Sequence, residues 1–293
     1  MQAEDKKKEC KKHAEHILPR NNERQKDARS FTSPFLSYGS SASSSVAAAL
    51  ATNDLLEQPF QRDSKQILEA VVHGEYVATK GSPHGDNVFV SLLGGFIVIY
   101  DFANREYFRA EGGDRVYLVA ASPTNLRVDT SAARAALKFD KKGLAELSAK
   151  YLKDCWIQDR ALDTKGYVDG MAAKLQLHCG DGTLSRYLSG GVEVIRGIQW
   201  DYPRELGEAV NKDNIVTPVR ANFITGYHSV AKAVGKAGAY GFGISGSGPA
   251  VFAVTDEKNA HNVAEAARKT FSDYGVNAEV HVSKINNLGA QRI

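Results

Sequence analysis

Apolar residues recur at helical spacing in some stretches of the chain and at strand density in others. Ile67, Leu68, Val71 and Val72 share one face of a helix expected at about residues 62–79. The alanine-rich run after Ser43 predicts a helix at about 43–57, and Val263, Ala266, Ala267 and Phe271 line one face of another at about 261–275. Further helices are expected within about 131–153, 166–190 and 224–239. Residues 88–100 are strongly apolar and are broken by Gly94 and Gly95, so Phe96–Tyr100 reads as a buried strand. Val116–Ala120, Ala250–Val254 and Val276–Val282 read the same way. Strands and helices alternate without a long parallel βαβ series, and no internal repeat is visible, which points to an α+β fold.

Composition narrows the function classes. The 293-residue chain is 43% hydrophobic, enough for one large or two modest domains, and contains no run of eighteen apolar residues that would span a membrane. The net charge of +3 is local: residues 1–29 hold nine Lys/Arg against six Asp/Glu, and the remainder holds 28 of each. The charge therefore describes a leader at 1–33, partly helical over residues 3–18, and not a basic face for nucleic acid. Cys10, Cys155 and Cys179 form no C-x-x-C pair, which fits a reducing, cytoplasmic compartment and argues against a zinc site.

Two glycine-serine clusters carry the candidate chemistry. Gly243-Ile244-Ser245-Gly246-Ser247-Gly248-Pro249 lies between apolar runs and reads as strand, tight turn, strand. Its turn either presents N–H groups to an anion or uses glycine only for hairpin geometry. Ser37-Tyr38-Gly39-Ser40-Ser41-Ala42-Ser43-Ser44-Ser45 runs into the first helix. A helix start with serines suits phosphate, and a serine-rich capped helix is the plainer alternative.

Together these clusters resemble the GHMP kinase superfamily. Pro34-Phe35-Leu36-Ser37-Tyr38-Gly39-Ser40-Ser41-Ala42 is similar to that family's phosphate loop, P-x-x-x-G-L-G-S-S-A, and Gly243–Pro249 is similar to its late glycine motif. Within the superfamily the resemblance is to homoserine kinases. It rests on Gly81-Ser82-Pro83-His84-Gly85-Asp86-Asn87-Val88 with Leu92-Leu93-Gly94-Gly95-Phe96, and on Thr130-Ser131-Ala132-Ala133-Arg134-Ala135-Ala136-Leu137. Asp213-Asn214-Ile215-Val216-Thr217-Pro218-Val219-Arg220-Ala221 and the tail Gly289-Ala290-Gln291-Arg292-Ile293 complete the set, in family order across residues 34–293.

The resemblance implies a two-domain fold with an active site in the cleft between domains: a nucleotide-binding domain at 34–125 and a ferredoxin-like domain at 126–293. It implies ATP and Mg2+ as cofactors and L-homoserine as a substrate whose hydroxyl is phosphorylated, a step toward threonine. Ser37, Tyr38, Gly39, Ser40, Ser41 and Ala42, with Gly246, Ser247 and Gly248, would hold ATP phosphates. Ser41 and Glu75 would hold the metal, although unaided Glu75 reads as a solvent-facing helix carboxylate. His84 and Asn87 would bond the amino-acid substrate, and Asp86 would brace the turn. Arg134 and Arg220, otherwise surface arginines, would grip its carboxylate, with Thr130 near the acceptor hydroxyl. No strong general base is apparent, which suits catalysis by positioning and electrostatics.

Two departures from the pattern open other readings. Ser37 and Tyr38 stand where the family has Gly and Leu, and nothing before residue 34 matches the family's N-terminal strands, so the N-terminal domain is expected to be incomplete. A sheet edge exposed in this way could be capped in a homodimer. The alternatives are another small-molecule GHMP kinase and an inactive GHMP-fold binding protein.

Overall fold

The computed structural model describes residues 40–79, 85–157, 171–172, 174–177 and 182–291. The charged leader, Ser37, Tyr38, Gly39, His84 and Cys179 lie outside the described residues. The chain divides into two compact units: the segment up to Arg109 with the tail from Asn286, and Ala110–Ile285.

In unit 1 three helices pack on a two-stranded hairpin. Helix α1 (Ser40–Asn53), helix α2 (Lys65–Ala78) and helix α3 (Gly85–Leu93) are followed by β1 (Phe96–Asp101) and β2 (Glu106–Ala110). Ser64 caps α2 by accepting the Ile67 N–H, and the apolar stripe of α2 joins Ala42, Val46, Val88, Phe89 and Leu92 in one core. The apolar stretch 88–93 is helical, where strand density was the sequence signal. Its buried positions, Val88, Phe89, Leu92 and Leu93, recur at i, i+1, i+4 and i+5, a helical period that a short run disguises. The tail returns to this unit. The Gly95 N–H donates to Asn286 O at 2.8 Å, the Ala290 N–H donates to Leu92 O at 3.2 Å, and the Arg109 guanidinium donates to Gly94 O at 3.1 Å and Asn287 O at 2.6 Å.

Unit 2 is built on a four-stranded antiparallel sheet of β3 (Tyr117–Pro123), β4 (Gly241–Ile244), β5 (Val251–Thr255) and β6 (Ala278–Ser283), in the order β4-β5-β3-β6. Helix α9 (Tyr227–Lys236) precedes β4, and helix α10 (Glu257–Asp273) joins β5 to β6, giving the β-α-β-β-α-β order of a ferredoxin-like fold. Val119 and Ala121 of β3 alternate onto the same face as Val251 and Ala253 of β5 and meet Val230, Val234, Val263, Ala267 and Phe271 of the helices. The α+β class and the ferredoxin-like second domain therefore stand.

Five further helices complete unit 2: α4 (Thr130–Ala135), α5 (Lys141–Leu152), α6 (Thr183–Gln199), α7 (Pro203–Val210) and α8 (Thr217–Arg220). The span 131–153 is broken between α4 and α5, where Asp140 turns its carboxylate onto the Gly143 N–H and starts a new helix. Of the helix expected at about 166–190, residues 166–170, 173 and 178–181 lie outside the described residues; a helix runs from Thr183 through Gly190 and Gly191 to Gln199. Gly190 survives mid-helix because a Cβ there would press within 2.9 Å of the Lys212 Cβ. Tertiary closeness, and not a helix end, is what that glycine serves.

Candidate active site

The buried stripe of α2 runs Ile67, Leu68, Val71, Val72, and its next position is Glu75. Glu75 is 0% exposed, so the solvent-facing reading fails. A carboxylate in an apolar core costs free energy unless polar groups compensate it. One such group is Ser41 in the first turn of α1, whose Oγ donates to Glu75 Oε1 at 2.9 Å. Gly74 lets the two helices approach, since a Cβ there would lie 3.2 Å from the Ser45 Cβ.

This pair fits a magnesium ion. Mg2+ takes one or two protein oxygens and fills its remaining positions with water and phosphate. Ser41 and Glu75 supply two hard oxygens on neighbouring helices within hydrogen-bond reach of each other. Among the described residues no group of three or more His, Cys, Asp or Glu could hold a metal, so a dedicated all-protein cage has no counterpart there. The first N–H groups of α1, from Ser40 to Ser43, have no acceptor within the helix, and they lie at its positive end. Ala42 is fully buried beneath that turn. Asn87 sits half-buried in the first turn of α3, beside the exposed Asp86.

Unit 2 gathers the arginines. Asp129 caps α4 by accepting the N–H groups of Ser131 at 2.8 Å and Ala132 at 3.2 Å. Thr130 and Arg134, four residues apart on α4, therefore share a face, and both are exposed. Arg220 ends α8 and is half-buried. One of its terminal nitrogens, Nη1, donates to Gly246 O at 2.6 Å. Its Nε is buried and has no hydrogen-bond partner among the described residues. Burial pushes the Arg220 guanidinium below its usual value and nearby Arg134 adds to this, while Asp213 and Tyr187 oppose it. A guanidinium with one edge on a backbone carbonyl and a buried donor left over has the chemistry to meet an anion with two acceptor oxygens.

Arg220 also ties the second glycine cluster to this place. The turn after β4 closes through the Ser245 N–H to Ala250 O at 2.9 Å and the Gly248 N–H to Ser245 O at 3.0 Å. The Gly246 and Ser247 N–H groups take no part in those bonds. Gly246 has φ +58° and Gly248 φ +82°, and the bond to Pro249 is cis. A Cβ on Gly246 would meet nothing within 4 Å, so the turn is open on that side.

The sequence reading did not single out Asp213 or Tyr187 as site residues, yet both sit beside Arg220. Asp213 lay inside a recognised motif without an assigned role. Tyr187 carries no signal beyond its place in α6; burial, and then Asp213, push its phenol upward.

Comparisons with known proteins show the family. Family models described as the GHMP kinases N terminal domain and GHMP kinases C terminal match residues 36–95 and 203–273. The chain is 30% identical over 250 residues to a homoserine kinase of Methanopyrus kandleri, covering 85% of this chain and 70% of that protein. It is 31% identical over 247 residues to a homoserine kinase of Pyrococcus furiosus, covering 84% and 68%. Among solved structures it resembles the homoserine kinase of Cytophaga hutchinsonii with a TM-score of 0.67 and 26% identity, over 89% of this chain and 70% of that one. The chain belongs to the homoserine kinase family of the GHMP kinases.

Proposed function

We propose that the chain transfers the γ-phosphoryl group of ATP to the hydroxyl of L-homoserine, with Mg2+, giving ADP and O-phospho-L-homoserine. The observation that carries this reading is the Arg220 guanidinium, held by Nη1 on Gly246 O with its Nε buried and unused among the described residues. An amino-acid carboxylate matches that fork, and a sugar or a neutral alcohol does not.

Each residue then has a limited task. The first amides of α1, with Ser37, Tyr38, Gly39, Ser40 and Ala42, cradle the nucleotide phosphates. The Gly246 and Ser247 amides hold the transferring group, and Gly248 keeps the turn closed. Ser41 and Glu75 would hold a magnesium ion, which would supply positive charge to offset that developing on the phosphate oxygens. Arg134 and Arg220 bind the substrate carboxylate, His84 and Asn87 bond its amino end, and Thr130 orients the acceptor hydroxyl. A reducing, ATP-rich compartment, the cytoplasm, goes with this reading and with the three scattered cysteines.

The test is ADP release by the purified chain with ATP and Mg2+, measured with L-homoserine, mevalonate, galactose or no acceptor. Homoserine-dependent release is the expected result. No release from folded, monodisperse protein would overturn the reading in favour of an inactive GHMP-fold binding protein. Release with mevalonate or galactose alone would move it to another branch of the superfamily.

A further inference from the structure

Asp213 makes four hydrogen bonds within one short stretch of chain. Its Oδ1 accepts the N–H groups of Ile215 at 3.3 Å and Val216 at 2.9 Å. Its Oδ2 accepts the Thr217 N–H at 3.1 Å and the Thr217 hydroxyl at 2.8 Å. The Val216 carbonyl then accepts the Arg220 N–H at 3.1 Å. The carboxylate thus grips the peptide from which the Arg220 backbone hangs, one turn away. Burial is the main influence on Arg220, Tyr187 and Tyr227, and after it the Asp213 charge raises all three. Tyr227 is 6% exposed, so the surroundings that transmit this charge are largely dry.

We propose that Asp213 is the positioning residue for Arg220: by holding residues 215–217 it starts α8 at one fixed angle, so that Arg220 keeps Nη1 on Gly246 O and leaves its inner edge for the substrate carboxylate. This rests on the reading of Arg220 as the carboxylate receptor. Asp213 touches no substrate. It removes the conformational freedom that Arg220 would otherwise lose on binding, which is preorganisation at the expense of nothing in the chemical step. Sequence position conceals the relationship: the two lie seven positions apart, a helical spacing, yet Asp213 precedes the helix that carries Arg220 and acts on its start.

The experiment is a double-mutant cycle with Asp213→Asn and Arg220→Ala in the full chain, reading KM for homoserine, KM for ATP and kcat. Asp213→Asn removes the charge and leaves one acceptor oxygen. The expected result is a rise of about tenfold in KM for homoserine, with KM for ATP and kcat changed by less than about twofold. In the Arg220→Ala background the same substitution should add less than about twofold. A plain structural role would instead lower kcat and thermal stability equally in both backgrounds, and that outcome overturns the proposal, as does an unchanged KM. If Asp213→Asn does not fold, Thr217→Val removes one of the four bonds and enters the same cycle. A homoserine-specific rise in KM supports the proposal and no change sinks it. If the unaltered chain releases no ADP with homoserine, the proposed function falls and this inference falls with it.

Discussion

Ser41 donates its hydroxyl to Glu75 Oε1 at 2.9 Å, from the first turn of one helix to the fully buried stripe of the next. The carboxylate replaces an apolar residue in a packed helix face. Its retention makes sense only if the charge is used.

Glu75→Gln should therefore leave the fold intact and impair metal-dependent catalysis. The substitution keeps the shape and an acceptor for the Ser41 hydroxyl but removes the charge. We expect kcat to fall about a hundredfold and the Mg2+ concentration for half-maximal rate to rise. Steady-state kinetics across a Mg2+ titration check this. A kcat within about twofold of the unaltered chain would remove Glu75 from the metal site.

Arg220→Ala and Arg134→Ala should each weaken homoserine, with the larger effect at the half-buried Arg220. A charge-assisted, two-pronged contact predicts a rise of about ten- to a hundredfold in KM for homoserine. 3-Aminopropan-1-ol, which keeps the amine and hydroxyl but lacks the carboxylate, should be discriminated against by the parent chain and much less by the Arg220→Ala variant. Comparison of kcat/KM for the two acceptors tests this directly.

Gly94 and Gly289 lock the tail onto unit 1 and should not tolerate a side chain. Both have positive φ, +67° and +62°. A Cβ on Gly94 would fall on the Gly289 nitrogen, and one on Gly289 would lie 2.5 Å from Leu92 O. Alanine at either position should cost about 2 kcal/mol or more. Gly246→Ala has the same backbone strain but open space, and should cost only about 1 kcal/mol. Denaturant unfolding of the three variants separates strain from collision.

Stability should fall in strong alkali. Burial, and then Asp213, push the Tyr227 phenol up to about 12 from its ordinary 10.0. A raised folded value means the neutral form is favoured in the native state. Its contribution is complete below pH 10 and is lost as pH rises through about 12. Tyr227→Phe should flatten the pH dependence of unfolding free energy over that window, and a slope identical to that of the parent chain would remove Tyr227 as its cause.

The sequence by itself determined the class and much of the machinery. Helical spacing of apolar residues placed α2 and α10, and the structure shows their starts capped by Ser64 and Asp256. The glycine-serine clusters pointed to phosphate only through the family resemblance they carry, since a hairpin or a capped helix needs the same residues. The burial of Glu75 was not read from the sequence, where it passed for a solvent-facing helix carboxylate; the structure shows it continuing the stripe of Ile67, Leu68, Val71 and Val72.

Only the tertiary structure decided where the arginines sit: Arg220 reaches the Gly246 carbonyl, and Arg134 stays exposed on α4. Arg134 and Arg220 lie 86 positions apart in the chain, and no local rule brings two like charges together. The placing of the Arg220 side chain depends on Asp213 holding the start of α8 and on Gly246 offering its carbonyl. The mutual fit of Gly94 and Gly289 was hidden for the same reason. Local sequence encodes which backbone conformations are cheap, whereas a contact between distant residues is chosen by packing the whole unit at once.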